Sequence, residues 1–95
     1  MDGKILIVDD EDDIRELLRV YLDKEGYQVA QAADGQEALK VARERKPDVV
    51  ILDIMLPKMS GLDVLSTLRH ESDVYVIMLT ARAEEVDKLV GLNMG

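Results

Sequence analysis

Short apolar runs alternate with amphipathic stretches four times along this chain, and that alternation constrains the fold more than any other feature of the sequence. Residues 4–8 (KILIV) are rich in β-branched side chains. After the acids that follow them, Ile14, Leu17, Leu18, Tyr21 and Leu22 recur at the spacing of one helix face. Gly26 stands where a helix closes on a left-handed residue, and residues 27–32 (YQVAQA) alternate apolar with polar. Asp34, with Glu37 three positions on, caps a helix carrying Ala38, Leu39 and Ala42, which ends before Pro47. Residues 48–52 form the next short run, and beyond Pro57 a Ser60 cap opens a helix whose expected apolar face is Leu62, Leu65 and Leu68. Residues 74–79 (VYVIML) are followed by a weaker helix over residues 84–90, bearing Val86, Leu89 and Val90.

Such β-α alternation predicts an α/β fold in which a parallel sheet carries helices on both faces. The strands around residues 5, 50 and 77 are apolar enough to be buried on both faces. The half-polar strand at 28–32 belongs at an edge. Ninety-five residues suffice for one small domain, which buries roughly 65% of the surface its unfolded chain exposes. A 47% apolar and 34% charged composition is that of a globular protein rather than a disordered tail.

The formal charge of −8, from 20 acids against 12 bases, repels both a nucleic-acid backbone and an anionic membrane face. No direct nucleic-acid or membrane partner is therefore expected. The absence of cysteine excludes a disulfide framework, a thiolate metal site and a thiol nucleophile. No run approaches the ~20 apolar residues that span a bilayer, and the N-terminus lacks the cationic start and cleavage site of a signal peptide. A cytoplasmic location is expected.

Ligands of open parallel sheets bind beyond the carboxyl ends of the strands. Three of the four expected strands end there on polar residues: Asp9 and Asp10, Asp53, and Thr80. Carboxylates gathered in one crevice repel, so either some keep a proton or a hard divalent cation neutralises them. Oxygen ligands this few select Mg²⁺ or Mn²⁺, with water and phosphate oxygens completing the coordination. A carboxylate beside such an ion can act as a nucleophile toward phosphorus, giving an aspartyl phosphate, and a hydroxyl such as that of Thr80 could assist.

The motifs KILIVDDEDD, VVILDIMLPKMSG and VIMLTA, in this order, resemble the receiver domain of bacterial two-component response regulators, and the resemblance covers the whole chain. It implies a flavodoxin-like doubly wound sheet of order 2-1-3-4-5 and phosphotransfer from a sensor histidine kinase. Asp53 is the implied phosphoacceptor. Asp10 is implied to bind Mg²⁺ directly, Asp9 through water, and Met55 through its backbone carbonyl. Thr80 is implied to hydrogen-bond the phosphoryl group and move toward it, while Pro57 and Gly61 shape the turn after the acceptor. The wording LDIMLPKMSGLDVL looks most like receivers of winged-helix transcription regulators. The family is a phosphoacceptor rather than an enzyme, with at most weak autophosphorylation or autodephosphorylation.

Family receivers also carry a fifth strand and helix, with a lysine at the end of that strand and a switch aromatic within it, whereas this sequence stops at GLNMG, just before them. A truncated receiver of order 2-1-3-4 over residues 1–95 is therefore expected, with phosphorylation impaired, Mg²⁺ binding retained, and self-association or strand exchange through residues 74–79.

Plainer roles compete at each position. Asp9 and Asp10 could simply cap the first helix, and Glu11, Asp12 and Asp13 read as its solvated acidic turn. His70 reads as surface. Met55, Met59, Met78 and Met94 read as gap-fillers or loop residues, and Lys58 and Arg82 as exposed charge beside the site. Among other functions, a phosphohydrolase of the haloacid-dehalogenase type wants an acid where Met55 stands. A flavin or nucleotide binder wants a Gly-, Ser- or Thr-rich loop where VDDEDD stands. The remaining alternative is a self-associating scaffold fragment without chemistry.

Overall fold

The structure, a computed structural model, describes residues 3–79. Within them the elements are β1 (Lys4–Val8), α1 (Asp12–Lys24), β2 (Gln28–Ala32), α2 (Gly35–Arg45), β3 (Val49–Asp53), α3 (Gly61–Glu71) and β4 (Tyr75–Leu79). The helix expected over residues 84–90 lies outside the described residues, as do Thr80, Arg82 and Met94. The strands form one parallel sheet of order β2-β1-β3-β4, with the half-polar β2 at an edge as expected.

Residues paired in register point to the same face, because side chains alternate along each strand. On one face lie Leu6, Val8, Ala32, Val50 and Leu52, packed with Ala38 and Leu39 of α2 and with Val64 and Leu68 of α3. Ile5 and Ile7, also buried, point to the opposite face, where α1 packs on β1 and β2. The two central strands are thus covered on both sides. Exposure on the α1 face grows outward from there: Ile7 is sealed at 0%, its neighbour Ile51 is half-buried, and Ile77 is 42% exposed.

Local chemistry sets the element ends. Asp34 accepts a hydrogen bond from Glu37 N at 2.8 Å, and Glu37 Oε1 accepts one from Ala33 N at 2.7 Å, so cap and third residue satisfy each other's neighbourhood. Ser60 Oγ accepts from Asp63 N at 3.3 Å. Gly26, at φ 95°, lets the chain reverse after α1 while Tyr27 N donates to Leu22 O.

Three expectations need correction. The face of α3 turned to the core is Gly61, Val64 and Leu68, with Leu65 partly covered; Leu62 is 59% exposed. In α1 only Ile14, Leu18 and Leu22 of the expected stripe are half-buried, and Leu17 and Tyr21 face outward. β4 is not buried on both faces, because Tyr75 and Ile77 extend past the cover that α1 provides. Replacing Leu68 by Ala should destabilise the protein by about 2–5 kcal/mol in urea unfolding. The same change at Leu62 should stay within about 0.5 kcal/mol.

Candidate acidic site at the strand ends

Val8 of β1 pairs with Leu52 of β3, so the residues that follow, Asp9 just past β1 and Asp53 at the last position of β3, stand side by side at the carboxyl end of the sheet. Both are only 4% exposed, while Asp10 faces solvent. One carboxylate oxygen from each of Asp9, Asp10 and Asp53 lies within 4.8 Å of the others. The sequence-predicted acids are therefore brought together.

Asp9 and Asp53 are held by the same device, in which a carboxylate accepts the N–H two residues on and closes a small turn. Glu11 N donates to Asp9 Oδ1 at 2.9 Å, and Met55 N donates to Asp53 Oδ1 at 3.0 Å. The backbone continues the sheet through both positions: Asp9 N donates to Ala32 O at 3.1 Å, and Ile54 N to Leu79 O at 3.0 Å. Behind Asp53 the start of α3 is pressed against the strand. A Cβ on Gly61 would overlap the Asp53 carbonyl oxygen and stand 2.7 Å from Ile54 Cα, so only glycine permits Gly61 N to reach Ile54 O at 2.9 Å. Lys58, left-handed at φ 68°, lies in this loop with its Nζ 3.8 Å from Asp34 Oδ2, and its side chain is largely exposed.

Burial is the largest influence on Asp9 and pushes its carboxyl above the ordinary range; the Asp10 charge acts in the same sense, and the Glu11 N–H and the Arg15 guanidinium act against it. Two negative charges within 4.8 Å of each other repel by at least about 3.5 kcal/mol at an effective dielectric of 20. An oxygen-only donor set with two buried acids under this strain fits a hard divalent cation such as Mg²⁺ or Mn²⁺.

Arg15 was not legible as part of this site. Its guanidinium donates to the Asp9 carbonyl at 2.6 Å, to Gln31 Oε1 at 3.2 Å and to Asp12 Oδ1. The Met55 side chain is 42% exposed, as expected of a loop residue, and His70 is exposed in the last turn of α3. Away from the site, Asp48 closes β1 onto β3: its Oδ2 accepts from Lys4 N at 2.9 Å and its own N–H donates to Lys4 O. Among the described residues no helix is long and apolar enough to cross a membrane.

Residues 5–95 match the response regulator receiver domain family. The alkaline phosphatase synthesis transcriptional regulatory protein PhoP of Bacillus subtilis is 49% identical over 96 residues, covering 100% of this chain and 40% of PhoP. The chain thus spans about 40% of the length of the curated relatives it matches. Among solved structures, the chemotaxis protein CheY4 of Vibrio cholerae superposes with a TM-score of 0.83 at 35% identity, covering 100% of this chain and 82% of that one. The response regulator TrrA of Thermotoga maritima, solved in complex with Mg(2+)-BeF, gives a TM-score of 0.81 at 46% identity, covering 86% of this chain and 72% of that one.

A carboxyl whose folded-state pKa is raised contributes stability at low pH and loses it as pH rises through the carboxylate range above 3.8. Asp9→Asn should therefore raise the metal-free melting temperature at pH 7 and do so less at pH 4. Mg²⁺ at a hundred times its dissociation constant should stabilise the unsubstituted chain by about 2.7 kcal/mol, and Asp9→Asn should lose most of that gain in thermal scans.

Proposed function

The chain belongs to the response regulator receiver domain family, and from that premise we propose that it accepts a phosphoryl group from a sensor histidine kinase on the carboxylate of Asp53. The observation that carries this reading is the convergence of three carboxylates within 4.8 Å at the ends of β1 and β3, two of them buried.

In the proposed reaction an Asp53 oxygen forms a bond to phosphorus as the phosphorus–nitrogen bond of a phosphohistidine breaks, and the imidazole nitrogen takes up a proton from solvent. Phosphoryl transfer asks for positioning and charge compensation rather than elaborate covalent chemistry. The Met55 N–H holds Asp53 in one orientation, and the Glu11 N–H does the same for Asp9. Asp10 directly, Asp9 through water, Asp53, and the Met55 backbone carbonyl are the proposed holders of Mg²⁺ or Mn²⁺. A bound cation supplies the positive charge that the acids and an incoming phosphoryl group share. The TrrA complex with Mg(2+)-BeF supports carrying such a site to this chain. Thr80, outside the described residues, is the proposed hydrogen-bond partner of the phosphoryl group and the start of the switch. A transcriptional output through a separate DNA-binding domain follows the names of the relatives and suits the −8 charge, which argues against DNA contact by these residues themselves.

Incubation with a small phosphodonor and Mg²⁺ should add one phosphoryl group to the intact mass. The addition should fall to background in Asp53→Asn and in chelator; labelling of Asp53→Asn at the unsubstituted rate would sink the assignment.

Self-association is a second proposal. Among the described residues β4 pairs only with β3, and Tyr75 and Ile77 expose 66% and 42% of their surface on that strand. Light scattering should show a concentration-dependent dimer that Ile77→Lys abolishes, and a monomer at every concentration would refute it.

A further inference from the structure

We propose that Arg15 is a positioning residue for the metal pocket, fixing the β1–α1 turn so that Asp10 meets Asp9 and Asp53. The inference rests on the reading of the acidic trio as a divalent-cation site. Three arginines of the described residues form ion pairs, and Arg15 is the most enclosed: its side chain is 14% exposed, against 38% for Arg19 and 57% for Arg43. Its donors reach three separate segments, namely the Asp9 carbonyl at the end of β1, Gln31 on the edge strand β2, and Asp12 at the start of α1.

The Asp9 carbonyl matters because it shares a rigid peptide plane with the N–H of Asp10. A 2.6 Å bond from Arg15 Nη1 to that oxygen orients the plane and so sets the direction from which the Asp10 side chain departs. No hydrogen bond among the described residues holds the Asp10 carboxylate itself, so its place in the trio depends on its backbone. The guanidinium meets these acceptors from three separate nitrogens, Nε, Nη1 and Nη2, whereas the three donors of a lysine ammonium all sit on one nitrogen and cannot reproduce that spread. Gln31 steadies the fork from β2, which the Asp9 N–H also joins through Ala32.

Positioning and simple electrostatics give opposite signs here. A cation beside the acids opposes the binding of another cation, so removing the Arg15 charge would by itself tighten Mg²⁺ or Mn²⁺ binding. Loss of the turn geometry weakens it, by on the order of tenfold for groups that orient metal ligands.

The test is Mn²⁺ affinity by electron paramagnetic resonance, well below the melting temperature, for the unsubstituted chain and for Arg15→Lys, Arg15→Met, Gln31→Ala and Asp10→Asn. Arg15→Lys, which keeps the charge, and Arg15→Met should both bind about tenfold more weakly. Gln31→Ala should be weakened less and should add nothing further to Arg15→Lys, because both act through one fork. Unchanged affinity in Arg15→Lys with only a lower melting temperature would make the residue merely structural and overturn the proposal, as would tighter binding in Arg15→Met. If Arg15→Met does not fold, Arg15→Lys and the exposed Gln31→Ala decide the matter. Absence of binding in the unsubstituted chain as well as in Asp10→Asn would overturn the pocket itself, a result separable from failure at Arg15 alone.

Discussion

The in-register parallel pairing of β1 with β3 is the constraint on which the site depends. Because Ile5, Leu6, Ile7 and Val8 face Val49, Val50, Ile51 and Leu52 in step, the first polar residue after each run emerges at the same level. A slip of one residue would turn every side chain of one strand to the opposite face, moving Leu52 from the sealed α2 and α3 side to the α1 side, where Ile51 is only half-buried. The hydrophobic demand of the core therefore fixes the separation of two carboxylates, although neither belongs to the core cluster. Selection for packing and selection for chemistry act on one register.

Burying Asp9 there has a cost that its surroundings only partly offset. Asp9 is pushed toward its protonated form by burial and by Asp10, and drawn back by the Glu11 N–H and by Arg15. The N–H donors hold each carboxylate in place but do not neutralise the pair. That imbalance distinguishes Asp9 from the exposed acids of α1, which solvent screens, and from Glu16 and Glu71, each answered by its own arginine.

Much of this was legible in the sequence because it rests on short-range rules. Strand runs, the polar edge strand, the Asp34 and Ser60 caps and the convergence of Asp9, Asp10 and Asp53 follow from periodicity and from where parallel strands end. The α3 face was not legible because Leu62, Val64, Leu65 and Leu68 allow two apolar stripes. The choice falls to Gly61, whose close approach to the Asp53 carbonyl turns the set 61, 64, 65 and 68 inward. In α1 the larger apolar residues suggested a wide stripe, but among the described residues the helix packs chiefly on β1 and β2, and Leu17 and Tyr21 face outward. Arg15 escaped notice because a charge next to Ile14 on an amphipathic helix reads as a solvated flank. Its role depends on a carbonyl of β1 and an amide of β2 that only the fold brings within reach.

The two buried acids are buttressed from different directions. Asp53 stands on a strand end that α3 clamps through Gly61, and α3 in turn is packed on α2, where a Cβ on Gly35 would stand 2.8 Å from Val64 Cγ2. Asp9 stands on a strand end tied to β2 by its own N–H and to α1 by Arg15, on the opposite face of the sheet. The β1–β3 ladder holds the two ends together, while each carboxylate takes its orientation from a separate helix system. The two faces of the sheet differ in cover: no α1 residue is buried and exposure rises toward β4 on that side, whereas the α2 and α3 face is sealed from Leu6 to Leu52. A domain built this way keeps its acids in register chiefly through one well-packed face.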